Sequence, residues 1–158
     1  MIVFTNTGPL IALASIERID LLPKLFGTVR AAASVIEECR VGGPIVVPEL
    51  VTCEWLTIVA WSESAGGHPC LAGLDRGEQD TLAAAHAARA DLVVIDERLG
   101  RQAADRLGLS LVGSLGVLAK AKVEGLLPSF REAAAGMLRA GIRFHPDLVE
   151  KVASRVGE

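Results

Sequence analysis

The chain has 158 residues, 51% of them apolar and none of them tyrosine, and its formal net charge is −3 at pH 7. That length suits one domain able to bury roughly two-thirds of its unfolded surface, and the apolar content argues against disorder. The slightly acidic balance excludes the global basic field of DNA-packaging proteins, so any nucleic-acid contact has to come from a local patch. The N-terminus, MIVFTNTGPLIALA, lacks a basic n-region, and no apolar run is long enough to span a bilayer. Neither a signal peptide nor a membrane span is expected, and the expected location is cytoplasmic. Cys39, Cys53 and Cys70 are odd in number and widely spaced, without a CxxC pair. They read as reduced thiols, not as a zinc site.

In chain order, residues 2–5 (IVFT) are a short strand candidate that stops at Asn6-Thr7-Gly8-Pro9. Proline is favourable near a helix start, where its missing N–H would be unpaired anyway. Leu10, Ile11, Leu13, Ile16, Leu21, Leu22 and Leu25 then recur at helical spacing with a break near residues 17–20, which predicts two short helices ending at Phe26-Gly27. Residues 28–30 are a second strand candidate. Ser34-x-x-Glu37 has the form of a capping box and is expected to open the next helix. Residues 41–74 are irregular, rich in Gly and Pro, with one strand expected at Leu56–Trp61.

Residues 75–101, DRGEQDTLAAAHAARADLVVIDERLGR, are the organising stretch. An alanine-rich helix with an acid in its first turn leads into Val93–Ile95, an apolar run suited to a strand buried on both faces of a parallel sheet. The run ends on Asp96-Glu97 and another helix follows at once. Residues 110–112 form a further short strand candidate, and Gly113-Ser114-Leu115-Gly116 leads into a helix holding Val117, Leu118 and Ala121. A helix near Phe130–Arg139, a turn at Gly141 and a helix from Pro146 complete a C-terminal helical segment of about 128–158. Alternation of strand and helix indicates an α/β fold with a largely parallel sheet.

Polar positions at strand ends and in first helical turns form an acidic constellation: Asn6, Glu37 or Glu38, Glu78 or Asp80, and Asp96 with Glu97. In open α/β sheets, ligands bind beyond the carboxyl ends of the strands. Each of these residues also has an explanation as a helix cap: Asn6 and Asp96 as N-caps, Asp75-x-x-Glu78 and Ser34-x-x-Glu37 as capping boxes. At about 100° per residue, Glu78 shares a face with Leu82 and Ala85, whereas Asp80 lies about 200° away and is expected at solvent. Glu38 falls nearer the Val35/Cys39 face than Glu37 does. Glu38 and Glu78 are therefore the candidates for an inward site. Carboxylates gathered at one sheet edge repel one another unless a cation lies between them, and hard Mg²⁺ or Mn²⁺ with oxygen ligands is the usual answer. Arg98 and Arg101 beside Asp96, with Lys120 and Lys122 on the following helix, are candidate phosphate contacts. A P-loop is excluded because no GxxxxGKS/T motif is present, and His68, His86 and His145 have no evident Ser or Cys elbow.

The segments NTGPLIALASI, ASVIEE, LDRGEQDTLAAAHA, LVVIDERLGRQAA and GSLGVLAKAKVEG resemble the PIN-domain superfamily, in particular its small prokaryotic members of the toxin–antitoxin type. The resemblance runs in consistent order over about residues 1–150 and is looser across 41–74. It implies a three-layer α/β/α fold, as a single PIN-like domain over 1–158, around a parallel sheet of four to five strands. It also implies metal-dependent endoribonuclease chemistry with Mg²⁺ or Mn²⁺, in which in-line attack by an activated water gives a 5′-phosphate and a 3′-hydroxyl. Position by position, the family's ligands fall on Asn6, Glu38, Glu78 and Asp96, the three acids also being the catalytic candidates, with Glu97, Arg98 and Arg101 as outer-shell or phosphate contacts. PIN nucleases generally carry aspartate where this chain has Asn6, although asparagine occurs in the smaller group; the amide can ligate a cation but brings no charge. The resemblance therefore implies either a metal-dependent ribonuclease, acting on RNA and held by an antitoxin-like partner, or a degenerate PIN module that binds RNA or a protein without cutting. A homodimer face is expected, with Ile16, Leu22 and Trp61 as candidates that equally suit the core.

Overall fold

The computed structural model describes residues 1–60 and 68–158. Five strands, β1 (Val3–Thr5), β2 (Val29–Ala32), β3 (Leu56–Val59), β4 (Leu92–Val94) and β5 (Leu111–Val112), form one sheet in the order β3-β2-β1-β4-β5, with every pairing parallel. The helices are α1 (Thr7–Ser15), α2 (Leu21–Phe26), α3 (Ala33–Val41), α4 (Arg76–Ala87), α5 (Arg98–Arg106), α6 (Ser114–Val123), α7 (Phe130–Arg139) and α8 (Pro146–Arg155). The expected strand at 56–61 is present as β3, while Trp61 lies outside the described residues.

Alternation along the central strands sorts the helices into two layers. Val3 and Val94 face one side with Val29 and Ala31, and there they meet the apolar residues of α1, α2, α3, α6, α7 and α8 in one continuous core. Phe4, Val93 and Ile95 face the other side, against Leu82, Ala84 and Ala85 of α4 and Ala103 and Ala104 of α5. A strand buried on both faces cannot alternate apolar with polar, which is why the central strands read as unbroken apolar runs. The result is the three-layer α/β/α architecture. Leu22, a candidate for a dimer face, is fully buried in the first core, and Ile16 packs against its edge. The apolar surplus of α1 and α2 thus serves internal packing.

The strand order fixes where a site can form. The chain moves outward from β1 through β2 to β3, then returns and builds β4 and β5 on the other side. The reversal lies between β1 and β4, and the crevice above that point is the favoured binding position in open α/β sheets. β1 and β4 run in register, Phe4 opposite Val93 and Thr5 opposite Val94, and the Asn6 N–H donates to Val94 O at 2.9 Å. Residues just past the two strand ends, Asn6 and Asp96, are thereby brought to the same edge. Among the described residues no helix is long and apolar enough to cross a membrane.

Leu82, fully buried one turn beyond Glu78, joins α4 to the sheet beneath this edge. Leu82→Ala is expected to lower the unfolding free energy by about 2–5 kcal/mol, read from the midpoint of urea denaturation.

Candidate functional site

Asn6 occupies the N-cap position of α1 in extended backbone (φ −90°, ψ 176°), yet its side chain makes no capping bond. The residue is 3% exposed, and its Oδ1 is a buried acceptor without a hydrogen-bond partner. A buried carbonyl oxygen left unpaired costs on the order of 1–3 kcal/mol unless something else meets it. The alternative explanation of the Asn6 side chain as a helix cap therefore does not hold.

Asp96 is likewise not the cap of its own helix. Glu97 takes the N-cap position of α5, without a side-chain bond. The Asp96 carboxylate turns across the crevice to the helix beyond β5 instead: Oδ1 accepts the Ser114 N–H at 2.7 Å, and Oδ2 accepts the Ser114 hydroxyl at 2.5 Å. Gly113, before Ser114, admits this approach; a β-carbon there would stand 2.9 Å from both Asp96 Oδ1 and Arg101 Nη1. A negative group at the free N–H groups of α6 is favourable. Fixing its position takes priority over capping α5.

Glu38 reaches the site from α3. That helix begins at Ala33, directly after β2, with Ala32 at the N-cap and no side-chain cap. Ser34 already lies inside the helix, so the expected Ser34/Glu37 capping box does not form. Glu37 is exposed and pairs with Arg40 at 3.4 Å. Glu38 is half-buried: Oε2 accepts the Thr7 hydroxyl at 2.5 Å, and Oε1 accepts the Gly77 N–H at 3.0 Å. Those partners flank two other site residues, Thr7 next to Asn6 and Gly77 next to Glu78. A β-carbon on Gly77 would lie 2.5 Å from Glu38 Oε2, so a side chain there would push the Glu38 carboxylate off the Gly77 N–H.

Glu78 lies in the first turn of α4, whose N-cap Asp75 accepts the Glu78 N–H through Oδ1 at 2.8 Å; this half of the expected capping box is present. Glu78 is 6% exposed. Burial raises its carboxyl pKa above the ordinary value, and the negative charges of Asp75, Glu97 and Glu38 raise it further. Gly100 of α5 keeps room beside it, since a β-carbon there would be 2.6 Å from Ile95 Cδ1 and 3.6 Å from Glu78 Cδ.

The expectation that Asp80 meets solvent is corrected as well. Asp80 is 7% exposed, and its Oδ2 accepts the Ser34 hydroxyl at 2.6 Å. A wheel drawn against the sheet alone leaves out α3, which packs on the flank of α4 and covers the side taken to be open. Of the basic candidates, Arg98 is exposed at the start of α5 beside exposed Glu97. Arg101 is half-buried and donates from Nη1 to Ile95 O at 3.0 Å, which braces the strand end. Lys120 pairs with Glu124, the C-cap of its own helix, at 2.9 Å, and Lys122 donates to Pro128 O at 2.8 Å.

Asn6 and Asp96 thus lie at the ends of adjacent strands, and Glu38 links that edge, through Thr7 and Gly77, to the turn that carries Glu78, with Ser114 and Asp75 fixing Asp96 and that turn. These four supporting residues were not singled out as site residues from sequence, although Asp75 was legible as a cap. The carboxylates do not close on one point: among the described residues no three Asp, Glu, His or Cys side chains are grouped as a metal cage. Glu38 and Asp96 have their own protein donors instead, whereas the hydrogen bond of Glu78 is made by its backbone N–H. The donor set is all oxygen, with one buried acceptor unpaired and one carboxylate pressed by like charges. In kind, it fits a hard divalent cation.

An all-parallel three-layer α/β/α fold with acidic side chains at its topological switch point belongs to the open α/β class, in which ligands bind at that edge. A family profile described as a PIN domain matches residues 1–158, and the chain belongs to that family. Comparison with curated proteins and with solved structures returned no match.

Because the Glu78 pKa is raised, its ionised form destabilises the fold: its contribution is most favourable below the unfolded-state pKa and is lost as pH rises through the folded one. Glu78→Gln is accordingly expected to melt higher than wild type at pH 7. The difference should shrink toward zero as pH falls below the ordinary carboxylate range, as followed by thermal denaturation across pH.

Proposed function

We propose that the protein is a metal-dependent endoribonuclease of PIN type, with Asn6, Glu38, Glu78 and Asp96 as the residues that would hold Mg²⁺ or Mn²⁺. One observation carries the reading. Parallel pairing of β1 with β4 brings Asn6 and Asp96 to the switch point, and Glu38 of α3 binds both Thr7, next to Asn6, and the Gly77 N–H, next to Glu78, which supports a shared site. A bound cation would supply water activation and offset the charge that builds on a phosphodiester during hydrolysis. The chain's own residues supply position. Ser114 holds Asp96 at both oxygens, Thr7 and the Gly77 N–H hold Glu38, and Asp75 fixes the turn that carries Glu78. Such preset groups lower the reorganisation needed at the moment of reaction. Exposed Arg98, at the rim beside Glu97, is the basic side chain placed to meet a substrate phosphate.

A second reading has its own support. Asn6 brings no charge, and Glu38 and Asp96 are each satisfied by protein donors. In that case the crevice is structural and the protein is a PIN module that binds RNA or a protein partner without cutting. A partner of the antitoxin kind, or a second copy, would find exposed apolar side chains at Val41, Val46 and Val51.

Cleavage of a labelled single-stranded RNA, with analysis of the product ends, separates the two. The nuclease reading expects Mn²⁺-dependent products ending in 5′-phosphate and 3′-hydroxyl, loss of at least about 100-fold in rate for Asp96→Asn, and a gain for Asn6→Asp. No metal-dependent cutting by wild type or by Asn6→Asp would leave the binding module.

A further inference from the structure

Beside the crevice, between α3 and α4, lies a cleft of about 650 Å³ whose lining includes Ser34, Glu38, Val41, Arg76 and Asp80. Arg76 is the first residue of α4, and its side chain is 68% exposed. A cation in that position opposes the helix dipole. It stands there nonetheless, with Nε 3.6 Å from Oδ2 of Asp80, one turn further on. Arg before Asp at i,i+4 is also the weaker orientation for stabilising a helix, and exposed pairs contribute little in any case. Asp80, by contrast, is buried and already accepts the Ser34 hydroxyl. A buried carboxylate tied to a serine on the facing helix is a costly way to gain helix stability. It is an effective way to hold one guanidinium at the mouth of a cleft.

We propose that this cleft carries the RNA strand next to the cutting centre. Arg76 grips a backbone phosphate there, and Asp80 and Ser34 act as its positioning residues. The proposal rests on the nuclease reading, because Glu38 lines the cleft and belongs to the proposed centre as well. Asp80 meets the guanidinium at Nε, which leaves the Nη donors for the paired oxygens of a phosphate. Of the remaining walls, Ala33, Val41 and Gly42 are uncharged and small enough to admit ribose and base without selecting among them, and the exposed Glu37 carboxylate is paired with Arg40. Gripping a phosphate carries no sequence information, so the cleft orients a single strand of any sequence.

The test is fluorescence anisotropy of a labelled single-stranded oligoribonucleotide in EDTA, which prevents cutting, at several KCl concentrations. Cleavage with Mn²⁺ is measured in parallel. Arg76→Ala, an exposed change whose folding is checked by melting temperature, is expected to weaken binding about fivefold and to flatten the log–log salt slope by about 0.7, one phosphate's worth for a single strand. KM for cleavage should rise by a similar factor while kcat stays within about twofold. Asp80→Asn removes a negative charge and by simple attraction would tighten binding; as the loss of a positioning group it should weaken it. Ser34→Ala gives the same readout should Asp80→Asn fold poorly. Unchanged affinity and salt slope in Arg76→Ala, with wild type cutting normally, would overturn the cleft assignment and leave the nuclease reading standing. Wild type that neither binds nor cuts the RNA would overturn both.

Discussion

Negative charge collected at one end of a parallel sheet is the constraint on which the rest of this structure depends. Glu38, Glu78, Asp75, Asp96 and Glu97 come from three separate stretches of chain, and the charges of Asp75, Glu97 and Glu38 all push the Glu78 carboxyl pKa up. Carboxylates so close separate or protonate unless each is held. The fold holds two of them with uncharged donors, a backbone N–H at a helix N-terminus and a hydroxyl for Glu38 and the same two kinds for Asp96, while the Glu78 carboxyl is left with a raised pKa. Three glycines make those approaches possible. At 77, 100 and 113 a β-carbon would strike Glu38, Ile95, or Asp96 together with Arg101, all within 3 Å. Such an arrangement accepts a cost in stability in order to keep a preset geometry, as functional sites commonly do.

Much of this was legible in the sequence, for physical reasons that can be named. Central strands buried on both faces leave apolar runs such as Leu92–Ile95, and proline or a polar residue at most helix starts, though not at α3, punctuates the chain. Glu38 and Glu78 were distinguished from their neighbours by helical phase, and both turn inward as expected. The failures share one cause. Helical phase measured against a single surface placed Asp80 in solvent, whereas α3 covers that flank and Ser34 binds it. Reading caps from local spacing offered Asp96 as an alternative cap of α5 and paired Ser34 with Glu37, whereas both side chains reach across to another helix. A spacing rule sees only neighbours in sequence; these bonds join residues 18 and 46 positions apart. Thr7 and Ser114 were overlooked for the same reason.

Asn6 concentrates the functional question. Where an aspartate would add charge to an already crowded edge, the amide adds an oxygen and none of the repulsion. Its Oδ1 is buried and unpaired, which no capping role explains and which an oxygen-seeking cation would relieve. The same substitution lowers the field available to attract that cation. Affinity for metal is thus the quantity on which nuclease and binding module part company, and the Arg76 cleft matters for catalysis only if the metal site is real.

Calorimetric titration with Mn²⁺, on wild type, Asp96→Asn and Glu38→Gln, tests that claim most directly. The nuclease account predicts saturable binding to wild type and a loss of affinity of about tenfold or more in each variant, since removing a ligand costs at least as much as removing its supporting shell. No measurable binding to wild type, or equal binding to all three proteins, would contradict it and leave the carboxylates as anchors for helix ends.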